Sequence, residues 1–163
     1  MRLEMDLTSV EDLRKAVGAA AFDSHVSVFD TNDRGAAPAS GSALSDGMIV
    51  CPCSMGTLSA ISVGASRSLV ERAADVTLKE RRKLVLVTRE TPLSSIHLEN
   101  MLRLSRAGAV VLPAAPGLYN RPSSVQDLID FIVARTLDQM NVPHSLGRRW
   151  KGEDSGSDTE ISG

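Results

Sequence analysis

KLVLVT, residues 83–88, places an unbroken apolar and β-branched run behind a single charge. It is too short for a helix and apolar at every position instead of every second one, so it reads as a parallel strand covered on both faces. Immediately before it, residues 67–80 (RSLVERAADVTLKE) carry Leu69, Ala73 and Val76 on one stripe, as an amphipathic helix does. After it come the turn-forming Arg89-Glu90-Thr91-Pro92 and a second helical segment, 95–106 (SIHLENMLRLSR), closed by Gly108. Two further runs, MIVCP (48–52) and AVVLP (109–113), match the first strand in character, and a helix over 124–140 opens at Ser123 or Ser124. Strand alternating with helix, with right-handed crossovers, implies a doubly wound α/β sheet.

Toward the N-terminus, Thr8 and Glu11 have the spacing of a capping box, and Val10, Leu13 and Val17 predict a helix over residues 9–21. His25 to Phe29 reads as a short strand. Residues 31–46, rich in Gly, Ala, Ser and Pro and without an apolar period, predict a long surface loop of a kind that often carries function. After Val142 the periodicity ends. The reading is one domain over 1–142 and a mobile tail over 143–163, with Trp150 as its one candidate anchor.

A chain of 163 residues buries a sizeable core without disulfides or metals. Aromatic residues are only 3% of it, so Ala, Val, Leu and Ile must build that core. A net charge of -2 and a pI near 5.9 argue against nucleic acid as a partner. No apolar run of about 18 residues is present and the start lacks a signal-peptide pattern, so the expectation is a cytoplasmic protein with no membrane partner. Cys51 and Cys53, either side of Pro52, read as small buried residues at a strand end and fall short of a zinc site.

Ligands of such sheets sit beyond the carboxyl ends of the strands. Those junctions are Cys53-Ser54-Met55-Gly56-Thr57, Arg89 to Pro92, and Ala114 to Pro122. A strand running into Ser-Met-Gly-Thr and then a helix offers hydroxyls and free N–H groups to an acceptor, although Ser54 taken alone is more simply an N-cap. Arg72, Asp75 and Lys79 share one stripe that borders the core, as suits a cleft or an interface. Arg135 needs a partner, for which Asp138 or Asp130 is favoured over an anionic ligand. Glu80-Arg81-Arg82-Lys83 are cations and a carboxylate at a helix end, with no further role assigned. His25, His97 and His144 match no metal spacing or triad and read as structural or exposed.

GMIVCPCSMGTLSAI, RAADVTLKERRKLVLVTRETPLSSIHLENMLRL, GAVVLPAAPGLYNRP and ARTLDQM together resemble the UbiX family of flavin prenyltransferases, within the flavin-dependent cysteine decarboxylase superfamily. The likeness runs over residues 47–142. It implies a flavodoxin-like, Rossmann-type fold in three αβα layers, reduced FMN as prenyl acceptor, and dimethylallyl monophosphate as donor. The product would be prenylated FMN, passed to a UbiD-type decarboxylase. By motif, Ser54, Met55, Gly56, Thr57 and Arg89 would contact FMN; Tyr119 and Arg135 would hold the prenyl phosphate. Arg72, Lys79, Glu90 and Glu4 would complete the phosphate and acid–base network, across subunits of a homo-dodecamer and without a metal. Cations or a proton at a leaving phosphate would offset its developing charge.

The family pattern begins with a strand, a GxSGA phosphate loop, a helix and a second strand, which this sequence lacks. The reading therefore expects a missing N-terminal βα unit, either from a true start upstream of Met1 or from a truncated gene, with weak FMN binding and little transfer as the consequence. Gly56, and Leu118 and Asn120 around Tyr119, depart from the usual family residues. Alternatives are an inactive or weakly flavin-binding oligomer and an aromatic acid decarboxylase subunit. Superfamily enzymes that decarboxylate peptidyl or pantothenoyl cysteine are disfavoured, because their PASANT-like motif and catalytic His do not occur here.

Overall fold

A computed structural model describes residues 9–146. Three strands, β1 (Gly47–Cys53), β2 (Lys83–Thr88) and β3 (Val110–Pro113), form one parallel sheet in the order β1-β2-β3. Val50 pairs with Leu86 and Leu86 with Val111, which fixes the register across all three. Helices α3 (Met55–Ser62) and α4 (Leu69–Lys79) connect β1 to β2, α5 (Ser95–Arg106) connects β2 to β3, and α6 (Val125–Met140) follows. Each of these four helices opens on a serine whose hydroxyl accepts a backbone N–H of its first turn: Ser54, Ser68, Ser94 and Ser124.

The two faces of β2 explain the layers. Leu84 and Leu86 point into the main core with Leu58 and Ile61 of α3, Ala74 of α4 and Leu104 of α5. Val85 and Val87 alternate to the other face, where they are just as buried and where α6 packs. The expectation of strands covered on both faces holds for β2 alone. On β1, Ile49 and Cys51 turn an exposed face outward, and β3 is only half-buried because it lies at the sheet's other edge.

Several N-terminal expectations are corrected. The single helix over 9–21 is two, α1 (Val10–Val17) and α2 (Ala19–His25), broken at Gly18 with φ of 94°. Its cap is Ser9, which accepts from Asp12 N at 3.1 Å, in place of the Thr8–Glu11 box; Thr8 lies outside the described residues. No strand forms at 25–29, because the segment pairs with no other strand and leaves Val26, Val28 and Phe29 exposed. Arg82 has a structural role the sequence did not disclose: it donates to the carbonyls of Gly41 and Ala43, both at 2.7 Å, and so clamps the long loop against the start of β2. Trp150 and most of the predicted tail lie outside the described residues. No described helix is long and apolar enough to cross a membrane.

Candidate functional site

The carboxyl ends of β1 and β2 build the first part of the site. Helix α3 starts directly at the end of β1, with the Ser54 hydroxyl accepting from Thr57 N at 3.2 Å and paired with Thr57 Oγ1 at 3.0 Å. Ser54 is thus the N-cap that spacing alone favoured. Met55 drops its side chain into the core, so only its backbone faces outward. The N–H groups at a helix start have no partner within the helix and carry its partial positive charge. At Gly56 an added Cβ would meet only Ser54 Oγ, at 3.8 Å, so the approach to these groups is open. Beside them a groove of about 460 Å³ follows the edge of β1, lined by residues 48–52 of the strand and by Thr57, Thr31, Ser68 and Val70.

At the end of β2, Thr88 is buried and the next two residues emerge fully: Arg89 and Glu90 are exposed and neither makes an ion pair with a described residue. Among the described residues the Glu90 carboxylate accepts only from Thr91 N, at 3.2 Å, while its backbone carbonyl accepts from the Thr91 hydroxyl at 2.8 Å. An adjacent cation and carboxylate left without charge partners at a strand end can meet a ligand from either sign.

Past β3 the chain makes one turn of 3-10 helix, Leu118–Asn120. The exposed Tyr119 ring stands edge-on against Phe131 of α6, with centroids 6.2 Å apart at 85°. Gly117 makes this contact possible, since a Cβ there would collide with the Tyr119 ring and lie 3.3 Å from Phe131 Cζ. Arg135 lies four residues beyond Phe131 and hence on the same face of α6. Spacing in the sequence gave no warning of Gly117; the i, i+4 relation of Phe131 to Arg135 was there to be read.

The three candidate phosphate cations do not converge within one chain. Arg72 pairs with Asp75 at 3.4 Å, Lys79 pairs with Glu80, and Arg135 pairs with Asp138 at 3.0 Å. The other carboxylate considered for Arg135, Asp130, accepts from Gln126 instead. A helix joining two parallel strands runs antiparallel to them, so Arg72 lies in the half of α4 nearest the strand ends that face the groove, and Lys79 lies at the far end. There the added Cβ of Gly41 would meet the Lys79–Glu80 pair, confirming that Lys79 sits by the loop before β1. Lys79 holds the Glu80 carboxyl below its usual range. Glu4 lies outside the described residues.

Neither thiol suits nucleophilic work. Cys53 is fully buried and burial pushes it up to about 11; burial raises Cys51 as well. Among the described residues no group of His, Cys, Asp and Glu has the arrangement of a metal site.

Residues 5–137 match the flavoprotein family. The chain belongs to that family. Among curated relatives, this flavoprotein is 59% identical over 138 residues to the flavin prenyltransferase UbiX of Pseudomonas aeruginosa, covering 85% of this chain and 65% of the relative. The flavin prenyltransferase UbiX of Halalkalibacterium halodurans is 56% identical over 134 residues, 82% of this chain and 65% of the relative. The flavoprotein thus spans about 65% of the length of these relatives. Its fold matches a crystal structure of AnUbiX (PadA1) in complex with FMN and dimethylallyl pyrophosphate at a TM-score of 0.83 and 46% identity, over 94% of this chain and 77% of that one. It also matches a dodecameric FMN-dependent UbiX-like decarboxylase from Escherichia coli O157:H7, with a TM-score of 0.73 and 54% identity over 77% of this chain and 67% of the other. A flavodoxin-like α/β fold, with a parallel three-stranded sheet and helices on both faces, is common ground with these structures.

Proposed function

We propose that this flavoprotein transfers a dimethylallyl group from dimethylallyl monophosphate to N5 and C6 of reduced FMN, and that the prenylated flavin serves a UbiD-type decarboxylase. The observation that carries this reading is the open start of α3 beside the β1 groove, in a chain similar to a protein solved with FMN and dimethylallyl pyrophosphate. FMN fits these residues: the backbone N–H groups of Met55 and Gly56, the hydroxyls of Ser54 and Thr57, and the Arg89 guanidinium would hold it. FMN supplies the nucleophilic ring positions when bound.

The chain's own residues then have separable tasks. Tyr119 flanks the allyl group while Arg135 holds the phosphate, and Arg72 and Lys79 add positive charge as the allylic carbon–oxygen bond breaks. Glu90, with Glu4, carries a proton to the leaving oxygen and later accepts one from the ring. Because Lys79 lies at the far end of α4, it must reach the site of a neighbouring copy. Exposed apolar side chains at Ile96, Leu98 and Leu102 on α5, and an exposed apolar row at Val125, Ile129 and Val133 on α6, support the assembly that this needs, which we take to be a homo-dodecamer in the cytoplasm.

Anaerobic incubation with reduced FMN and dimethylallyl monophosphate, read by mass spectrometry for prenylated FMN, tests the proposal; dimethylallyl pyrophosphate in a parallel arm distinguishes the donor. Flavin binding without any product favours an inactive flavin-binding oligomer, and release of CO2 from an aromatic acid by the isolated protein favours a decarboxylase subunit.

A further inference from the structure

The cavities, exposed faces and buried titratable groups leave one arrangement that the preceding reading does not use. Asp138 bridges two donors: its Oδ2 accepts from Arg135 Nη1 at 3.0 Å and its Oδ1 accepts from His144 Nε2 at 3.1 Å. His144 is reached by a tight reversal at the end of α6. Asn141 adopts a left-handed conformation, φ 58°, and the N–H groups of Asn141 and Val142 return to the carbonyls of Asp138 and Leu137. The imidazole side chain is only 6% exposed, and its Nδ1 accepts from Leu146 N at 3.2 Å. With Nδ1 accepting, the neutral ring carries its proton on Nε2 and donates it to Asp138.

We propose that Asp138 and His144 are positioning residues that fix the Arg135 guanidinium for a phosphomonoester; the proposal rests on the reading of Arg135 as the phosphate-holding residue. An arginine at a helix surface normally loses much rotamer freedom when it takes up a ligand. Here the carboxylate that receives it is itself held by a buried ring, and the ring by a backbone N–H, so the order is present before any ligand arrives. A lone exposed i, i+3 ion pair has no such second anchor. Asp138 engages one of the five guanidinium N–H donors, and Arg135 makes no other hydrogen bond with a described residue, leaving a fork of donors for phosphoryl oxygens. That fork lies on the α6 face that carries Phe131 and, against it, Tyr119.

The test is calorimetric titration of the full chain with dimethylallyl monophosphate, with inorganic phosphate as the minimal anion. Ordering one long side chain sets the scale, so His144→Phe and Asp138→Asn should each bind the monoester roughly three- to tenfold more weakly. His144→Gln, which keeps a donor toward Asp138 and an acceptor toward Leu146, should recover most of the affinity. In the Arg135→Lys background the His144→Phe change should have no further effect, an outcome that a merely structural role would not give. Thermal midpoints of all variants are recorded alongside, and Asp138→Asn with His144→Gln carries the comparison if His144→Phe does not fold. Unchanged affinity in the His144 and Asp138 variants, or an equal loss in the Arg135→Lys background, overturns the proposal. Failure of the unaltered chain to bind the monoester overturns it together with the role of Arg135. Binding that follows the predicted pattern without prenyl transfer upholds this inference and removes the transferase reading.

Discussion

β1 and β2 are neighbours in one sheet and are both apolar, yet they lead different lives. β2 has both faces and both edges covered, with Leu84 to Thr88 all buried. β1 gives one face to the core through Val50 and Cys53 and leaves Ile49 and Cys51 on the other side, beside the groove. Apolar sequence alone therefore does not separate a strand that holds the fold from one that holds the fold and also presents a surface. The difference arises from position in the sheet: an edge strand keeps one row of backbone groups and, here, one face available.

The strongest way to break this comparison is to truncate the two strands in turn. Leu86→Ala should cost about 2–5 kcal/mol in denaturant unfolding, as fully buried leucines do, whereas Ile49→Ala should cost under about 1 kcal/mol. Equal losses would mean that β1's outer face is covered after all. Next is the point where β1 meets β2 and α6. An added Cβ at Gly47, whose φ is 153°, would lie 2.5 Å from the Lys83 carbonyl oxygen and 2.8 Å from Met140 Cε. Gly47→Ala should therefore destabilise by roughly 1–3 kcal/mol, seen as a fall in the unfolding midpoint.

The two thiols sharpen the contrast chemically. Burial pushes the Cys53 thiol up to about 11, above the ordinary thiol value of 9.0. A raised folded value stabilises the protein fully below the unfolded value and is lost as pH rises through the folded one. Stability should accordingly fall between about pH 9 and 11 by this route, and Cys53→Ala should flatten that fall in denaturant titrations at successive pH values. Alkylation of the native chain should label Cys51 ahead of Cys53, since only the former is exposed. The smallest expected change is a gain: Gly56→Ala fits the open first turn of α3 and should add about 0.5–1 kcal/mol, measured by thermal unfolding. If flavin affinity drops in that variant while stability rises, the open approach to the α3 start is used by ligand.

Much of this was legible in the residues. The three apolar runs became the three strands, and the segments at 67–80, 95–106 and 124–140 became α4, α5 and α6, because burial in the middle of an α/β sheet imposes one pattern on strands and another on helices. The N-terminal region misled for a reason: Val26, Val28 and Phe29 have strand-like composition, but a strand exists only where another supplies its hydrogen bonds. The candidate site was legible as a set of strand ends, which follows from topology. Its local pairings, the Ser54 cap and Arg135 with Asp138, were legible too; the Tyr119–Phe131 contact and the return of His144 to Asp138 were not.

The sequence by itself determined the strand–helix alternation, the serine caps, the polar junctions at the strand ends, and the resemblance to a flavin-dependent family; these depend on contacts close along the chain or on motif. Only the tertiary structure decided that Met55 belongs to the core, that Lys79 sits at the far end from the groove, that Arg82 clamps a loop about forty residues away, and that His144 folds back onto Asp138 behind Arg135. Those outcomes depend on which surfaces meet in space, and a charge spacing on one helix carries no information about the partner that another segment brings to it.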